Sequence, residues 1–389
     1  MASNQGTPPP NERELRLWKV GRALTITFAA AVLVAGSIFY GLVALLDFKE
    51  IDTAAKLDAT TLFDLLKLSF GVVAGAGALV ALVVAYRRQR VDEAGAHREA
   101  TRLHTERFSQ AVDKLGSDSP AVRLGGVHAL AGLADDAPTQ DLRQTCIDVL
   151  CAYLRLPFAP DPGVDPAHQE EHHRYLALRE VRHTILRLIG DHYRLPRGTQ
   201  RSWQGCDLDL TGVVIDGNMS FSGAEFSSCT VNFSGATFSD GTVNFSSAMF
   251  SSGLVHFSGA TFSGGKVIFD RATFSCGMAN FAGATFSGGT VSFGLATFSD
   301  GPVSFDRATF SDGTVSFDRA TFSGGGLFFN QATFAGGTVD FGGAMFSDGM
   351  LDFTDAAGPA PNGLLTAVST AGSAPILLPS AWVPPDPWY

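Results

Sequence analysis

The sequence predicts a mixed membrane and β-solenoid protein: a two-helix transmembrane hairpin, a small α-helical segment, and a C-terminal coil of short strands. Three observations lead there. Phenylalanine recurs every twelve residues through the last third of the chain, two uncharged runs near the N-terminus are long enough to cross a bilayer, and basic residues crowd the outer flanks of those runs.

Residues 1–22 read as a cytoplasmic tail with Arg13, Arg16, Lys19 and Arg22. The hairpin takes 23–86. Its first span, Ala23 to Leu46, holds 24 residues without a charge, which at about 1.5 Å per residue exceeds a hydrocarbon core of about 30 Å. Its second span covers 66–86, uncharged from Leu68 to Tyr86, with Lys67 placed to snorkel outward. Arg87, Arg88 and Arg90 follow, whereas the connecting loop has only Lys49 and Lys56 against five acidic residues. That bias puts both termini on the cytoplasmic side, making a multi-pass protein of the inner membrane. A cleaved signal peptide is disfavoured, because the apolar run is too long and starts too late.

Residues 87–156 read as a cytoplasmic helical segment. Phe108, Ala111, Val112 and Leu115 follow helical spacing before Gly116 stops the helix, and Ser119 with Pro120 has the form of an N-cap followed by proline at the first helical position. Leu124, Val127, Leu130, Ala131 and Ala134 make a second stripe; Leu142, Cys146, Val149, Leu150 and Tyr153 make a third. The stretch from Val122 to Leu130 resembles the second helix of a HEAT-type repeat. Pro157, Pro160, Pro162 and Pro166 mark a linker over 157–166. A last helix in 167–205, apolar at Leu178, Val181, Ile185, Leu188 and Ile189, is expected to cover the first coil of the solenoid. The tail, 357–389, holds Ile376, Leu377, Leu378, Trp382, Val383 and Trp388 to cover the other end, with disorder as the competing reading for its final ten residues.

The solenoid itself spans 206–356. One series runs Phe221, Phe233, Phe245, Phe257, Phe269, Phe281, Phe293, Phe305, Phe317, Phe329, Phe341 and Phe353. A second runs five residues behind it: Phe226, Phe238, Phe250, Phe262, Phe274, Phe286, Phe298, Phe310, Phe322, Phe334 and Phe346. An alanine stands two places before the second Phe of every unit, so Ala and Phe face inward together while Thr or Ser faces out. Three places after that Phe comes glycine: Gly241, Gly253, Gly265, Gly277, Gly289, Gly301, Gly313, Gly325, Gly337 and Gly349. Such positions are corners, where φ is positive or backbones touch. Cys229 takes that slot in the first unit.

Ala-Thr-Phe-Ser-Gly at 260–264 and 284–288, with Leu208-Asp209-Leu210-Thr211-Gly212, resembles the pentapeptide-repeat family. The resemblance implies a right-handed quadrilateral β-helix whose central residues stack along the axis. Here the Phe spacing alternates five and seven, which implies a coil of 24 residues with two corners each widened by two.

Chemical signals are sparse. His168, Glu171 and His172 match H-x-x-E-H, the inverted zinc-protease pattern, but five residues match easily by chance and no third ligand follows. A solvated helix is the plainer reading. Cys146, Cys151, Cys206, Cys229 and Cys276 have neither metal-site nor disulfide spacing, and read as reduced thiols. No glycine loop stands in a phosphate-binding context, so no cofactor is expected. Asp-Arg pairs at 270–271, 306–307 and 318–319 read as solvated rungs beside a corner. The net charge of −10 speaks against direct nucleic-acid binding.

The expected role is that of a non-catalytic protein-interaction scaffold on the cytoplasmic face, its protein partner and oligomeric state open. The alternative is a DNA mimic that binds a topoisomerase, as some soluble pentapeptide-repeat proteins do. Residues 221–353 hold ten acidic and four basic side chains, a net of −6, which is thin for a mimic. A zinc hydrolase is the least supported alternative.

Overall fold

The computed structural model describes residues 59–383 apart from 160, 228, 253, 276, 370 and 372–374, together with eleven positions between 26 and 44. The chain divides into two compact units, residues 1–98 and 99–389. In the first unit, the eleven positions between 26 and 44 are helical; the remainder of the expected first span lies outside the described residues. Helix α1, Ala59–Leu115, runs unbroken through Arg87, Arg88 and Arg90. The expected second span and the first stripe of the helical segment are therefore parts of one element. Among the described residues, the stretch Phe70–Leu115 is long and apolar enough to cross a membrane. Phe70, Leu82, Val83 and Val84 stand exposed on it.

In the second unit, α2 (Pro120–Asp135), α3 (Gln140–Arg155) and α4 (Gln169–Tyr193) pack around Val127, Leu130, Ile147, Leu150, Ile185 and Ile189. Ser119 occupies the N-cap of α2 with Pro120 behind it, but its hydroxyl makes no capping bond, contrary to the usual role of serine there. At α3, Thr139 does cap, accepting from the Leu142 amide at 3.3 Å. Gly126 lies so close to α1 that a Cβ would come within 2.6 Å of the Leu115 nitrogen and 2.9 Å of the Ala111 oxygen. Of the two glycines in the HEAT-like stretch, Gly126 is thus a backbone contact, while Gly125 faces open space.

From Leu208 the chain coils. Each turn lays down four short strands, joined in parallel to those of the next turn in sheets of eight, ten and six strands, about seven turns in all. The register advances by 24 residues: Thr261 pairs with Thr285 and Phe262 with Phe286, Thr273 with Thr297, Val255 with Ala279. The first turn is one residue shorter, Leu208 pairing with Val231.

Identical side chains therefore stack. The Phe residues form four ladders, in which rings one turn apart lie 4.6 to 5.0 Å between centroids and within 12° of parallel. Across the axis, rings of different ladders meet edge to face, as Phe257 and Phe269 do at 5.8 Å and 89°. Phe328, one residue before the first series, is the exception: its ring lies outside, over Gly326.

Two kinds of corner close each turn. At the first, the amide of Ala donates to the carbonyl of the Phe three residues back, at 2.9 to 3.0 Å in most turns. The residue before Ala has positive φ, as in a type II turn. Gly223, Gly235, Gly259, Gly283 and Gly343 suit it, yet Ser247, Arg271, Leu295, Arg307, Arg319, Gln331 and Asp355 hold φ of 54 to 58° there. The second kind holds the glycines singled out in the sequence. Gly241, Gly265, Gly289, Gly313, Gly325 and Gly349 have positive φ; Gly301 instead leaves no room for a Cβ, which would fall 1.8 Å from the Gly277 oxygen, and Gly337 is held against Asp312. Gly253 lies outside the described residues.

Replacing Phe281, which has no exposed surface, by alanine should cost about 3 to 5 kcal/mol in denaturant unfolding, whereas Thr285→Ala should change stability by less than about 0.5 kcal/mol. Equal losses would contradict the inward and outward assignment. Leu295→Gly should raise stability by up to about 1 kcal/mol, because glycine relieves the left-handed backbone at an exposed position; a lower melting temperature would refute it.

Candidate functional site

A coil of this kind is apolar at both ends, so the residues that close it are the first place where chemistry and packing meet. At the N-terminal end α4 crosses the strand Met219–Ser220, close enough that a Cβ on Gly190 would sit 2.8 Å from the Ser220 backbone. Tyr193, the last residue of α4, plugs the axis: its ring lies 5.7 Å from both Phe221 and Phe226, and its hydroxyl donates to the Cys206 carbonyl at 2.9 Å. Burial pushes its phenol well above the ordinary range.

Two polar clusters pin α4. Asp216, on the first turn, accepts from Arg179 Nε at 2.9 Å and faces His183 Nε2 at 3.1 Å. Burial by itself would raise the Asp216 carboxyl, but the bonds from His183 and Arg179 outweigh it and hold the group down at about 2. Asp135, at the end of α2, is buried and accepts from Trp203 Nε1 at 3.0 Å and Arg201 Nε at 3.1 Å, with His192 Nε2 at 3.2 Å. His192 stacks on Trp203 at 4.2 Å. One carboxylate thereby ties α2 to α4 and to the loop that leads into the coil.

At the far end the tail continues the helical path for one more turn. Ala357 bridges Thr333, Asn362 bridges Asp340, and Ile376–Leu377 pairs with Leu351–Asp352. Where the fourth strand would come, the chain forms the short helix α5, Leu364–Ser369. Trp382 then closes the axis, edge-on to Phe334 at 5.7 Å and Phe353 at 5.3 Å, with Nε1 donating to the Gly358 carbonyl. Trp388 lies outside the described residues.

The H-x-x-E-H residues do not converge. His168 ends a 3₁₀ turn ahead of α4, Glu171 lies exposed in the first turn of the helix, and His172 Nδ1 faces Asp161 at 2.7 Å. Among the described residues no three His, Cys, Asp or Glu side chains gather as metal ligands. Cys146, Cys151, Cys206 and Cys229 are free and buried; burial pushes the first two thiols up to about 12 and the others to about 11, so they stay protonated at neutral pH. Cys276 lies outside the described residues. His104, near the end of α1, is buried against Cys146 at 3.9 Å, and burial lowers its pKa.

The Asp-Arg pairs sit on the first kind of corner, and each arginine is one of the residues with positive φ. Two of their aspartates serve the next turn: Asp270 accepts from the Gly294 amide at 2.9 Å, and Asp306 from the amide and side chain of Asn330, both at 3.0 Å. Arg319 pairs with its neighbour Asp318, and Arg307 donates to Gln331. These are rungs that hold corners.

The outer faces carry hydroxyls. Thr237, Thr261, Thr285, Thr309 and Thr333 stack in register along one of them. Ser263, Ser299, Ser311 and Ser347 hydroxyls lean back on Phe carbonyls one turn earlier at 3.4 to 3.5 Å. Such a surface offers regular hydrogen-bonding positions with little charge. No family model matches the chain, and no curated protein or solved structure matches it.

Sequence reasoning missed the Asp216 and Asp135 clusters, because their members lie dozens of residues apart. Tyr193 carried a signal: it is an aromatic at the end of an apolar helix that leads directly into the repeat.

Stability should carry an acid limb from Asp216. A carboxyl held below its unfolded value contributes above about pH 4 and loses that contribution as pH falls towards 2. Asp216→Asn should therefore destabilise by about 2 kcal/mol at neutral pH and differ little from the parent at pH 2, as urea titrations at the two pH values will show.

Proposed function

We propose that the chain is a membrane-tethered solenoid of the pentapeptide-repeat type, serving as a non-catalytic protein-interaction scaffold on the cytoplasmic face. The observation that carries this reading is the filled, doubly closed axis: four ring ladders between Tyr193 and Trp382 make a stiff rod whose only variable surface is its outside. Rigid repeats of this build present large surfaces for partners without ordering cost at the moment of binding.

Tethering rests on α1 and on the sequence before it. Exposed Phe70, Leu82, Val83 and Val84 need a cover that lipid supplies. The uncharged run Ala23 to Leu46 supplies the other limb of a hairpin, and the arginines outside both runs orient it with the solenoid in the cytoplasm. The non-enzymatic reading is supported by thiols kept protonated and by Asp-Arg pairs engaged in corner bonds.

Fractionation and proximity labelling test this together. The full chain should sediment with membranes and a chain lacking residues 1–86 should not; a labelling enzyme fused after Tyr389 should mark a reproducible set of cytoplasmic membrane-associated proteins. Recovery of a topoisomerase as the leading neighbour would favour the DNA-mimic reading instead, and stoichiometric zinc in the purified protein would overturn the non-catalytic one.

A further inference from the structure

We propose that the helical segment of the second unit carries a binding groove for an apolar peptide segment of a partner protein, one that delivers an acidic side chain to Arg123 and Arg182. The site is separate from the solenoid surface and does not depend on the scaffold reading.

Its basis is a pair of guanidinium groups without counter-ions. Arg182, on α4, is only 4% exposed; it donates to the Leu154 carbonyl at 2.8 Å and the Val214 carbonyl at 3.1 Å, and stacks over the Phe158 ring at 4.9 Å. Arg123, on α2, is half-buried; it donates to the Ser117 carbonyl and to the Tyr153 hydroxyl, the latter at 3.0 Å. Every one of these acceptors is neutral. Among the described residues neither arginine forms an ion pair, and Asp216, which acts on Arg182 through space, is already engaged by Arg179 and His183. Holding charge away from water without a partner charge is unfavourable, and an incoming carboxylate removes that penalty. Burial correspondingly disfavours the charged form of Arg182.

The surroundings specify what should carry the carboxylate. Arg123 and Arg182 line a recess of about 90 Å³ together with Tyr153, Phe158 and Leu178. Through Arg123, Tyr153 and Leu156 it continues into a groove of about 390 Å³ walled by Val112, Leu115, Val149 and Ala152. Leu156, between the two, is 57% exposed. A free ion would use only the recess, whereas an apolar segment with one Asp or Glu fills both parts, placing its carboxylate on the arginines and its apolar side chains along the groove. Tyr153, whose oxygen accepts from Arg123, retains its own O–H to donate to that carboxylate.

A random peptide library displayed on phage, selected on the full chain in detergent micelles and counter-selected on Arg123→Gln, tests the proposal. Wild-type protein should enrich sequences with a single acidic residue among apolar ones. The synthesised peptide should bind roughly tenfold or more weakly to Arg123→Gln, and lose as much on wild type when its acid is changed to the amide. The second comparison holds even if the protein variant folds poorly. Enrichment of no such sequence, equal binding of acid and amide forms, or Arg123-dependent binding of phosphatidylglycerol vesicles without any peptide binding would overturn it.

Discussion

Everything in the second unit depends on one coincidence of lengths. Parallel strands repeat at about 4.8 Å, and aromatic rings stack comfortably at nearly the same distance. A Phe placed on every 24th residue can therefore lie flat on its counterpart with no adjustment of the backbone, and the observed separations of 4.6 to 5.0 Å show that it does. Any slip of register would break four ladders at once. The same spacing explains the glycines of the second kind of corner: the turns are so close there that a Cβ on Gly241, Gly265 or Gly289 would meet the backbone of the preceding coil, and at Gly301 even one carbon would not fit.

A ladder has ends, and its ends are where the regular chemistry stops. Both are closed by an aromatic that is not a Phe, Tyr193 stacking on Phe226 at one end and Trp382 meeting Phe334 and Phe353 edge-on at the other. Each polar atom is satisfied by a backbone carbonyl, as burial requires. Around Tyr193 the closing helix is held by Asp216 and Asp135, which turn α4 from a nearby helix into a fixed lid. The tail does the same with backbone bonds and substitutes α5 for the missing strand.

This division of labour bears on function. Inside, the molecule is uniform and rigid; outside, its hydroxyl rows and Asp-Arg rungs support the rod as much as they decorate it. Left-handed turn residues such as Leu295 and Arg271 show that the frame tolerates strained, protruding side chains where glycine would serve. The exposed apolar surface of α1 supports the proposed tethering, and the arginine-lined recess of the helical segment underlies the separate peptide-binding proposal.

The solenoid, its inward and outward faces and the 24-residue coil were legible in the order of residues, because each follows from short-range periodicity repeated many times. So were the helical stripes around Val127 and Ile185, and the two ends that needed closing. The left-handed position before each alanine was not, since Arg, Leu and Gln occupy it as often as glycine and give no compositional sign. Nor was the continuity of α1 past Arg90, where charge suggested a boundary that helix propensity ignores. What the sequence by itself determined was the repeat and everything that repetition dictates. Only the tertiary structure decided which distant groups meet, Asp216 with Arg179 and His183, Asp135 with Trp203, Arg123 with Tyr153, because such contacts depend on where separate helices come to rest and leave no periodic trace in the chain.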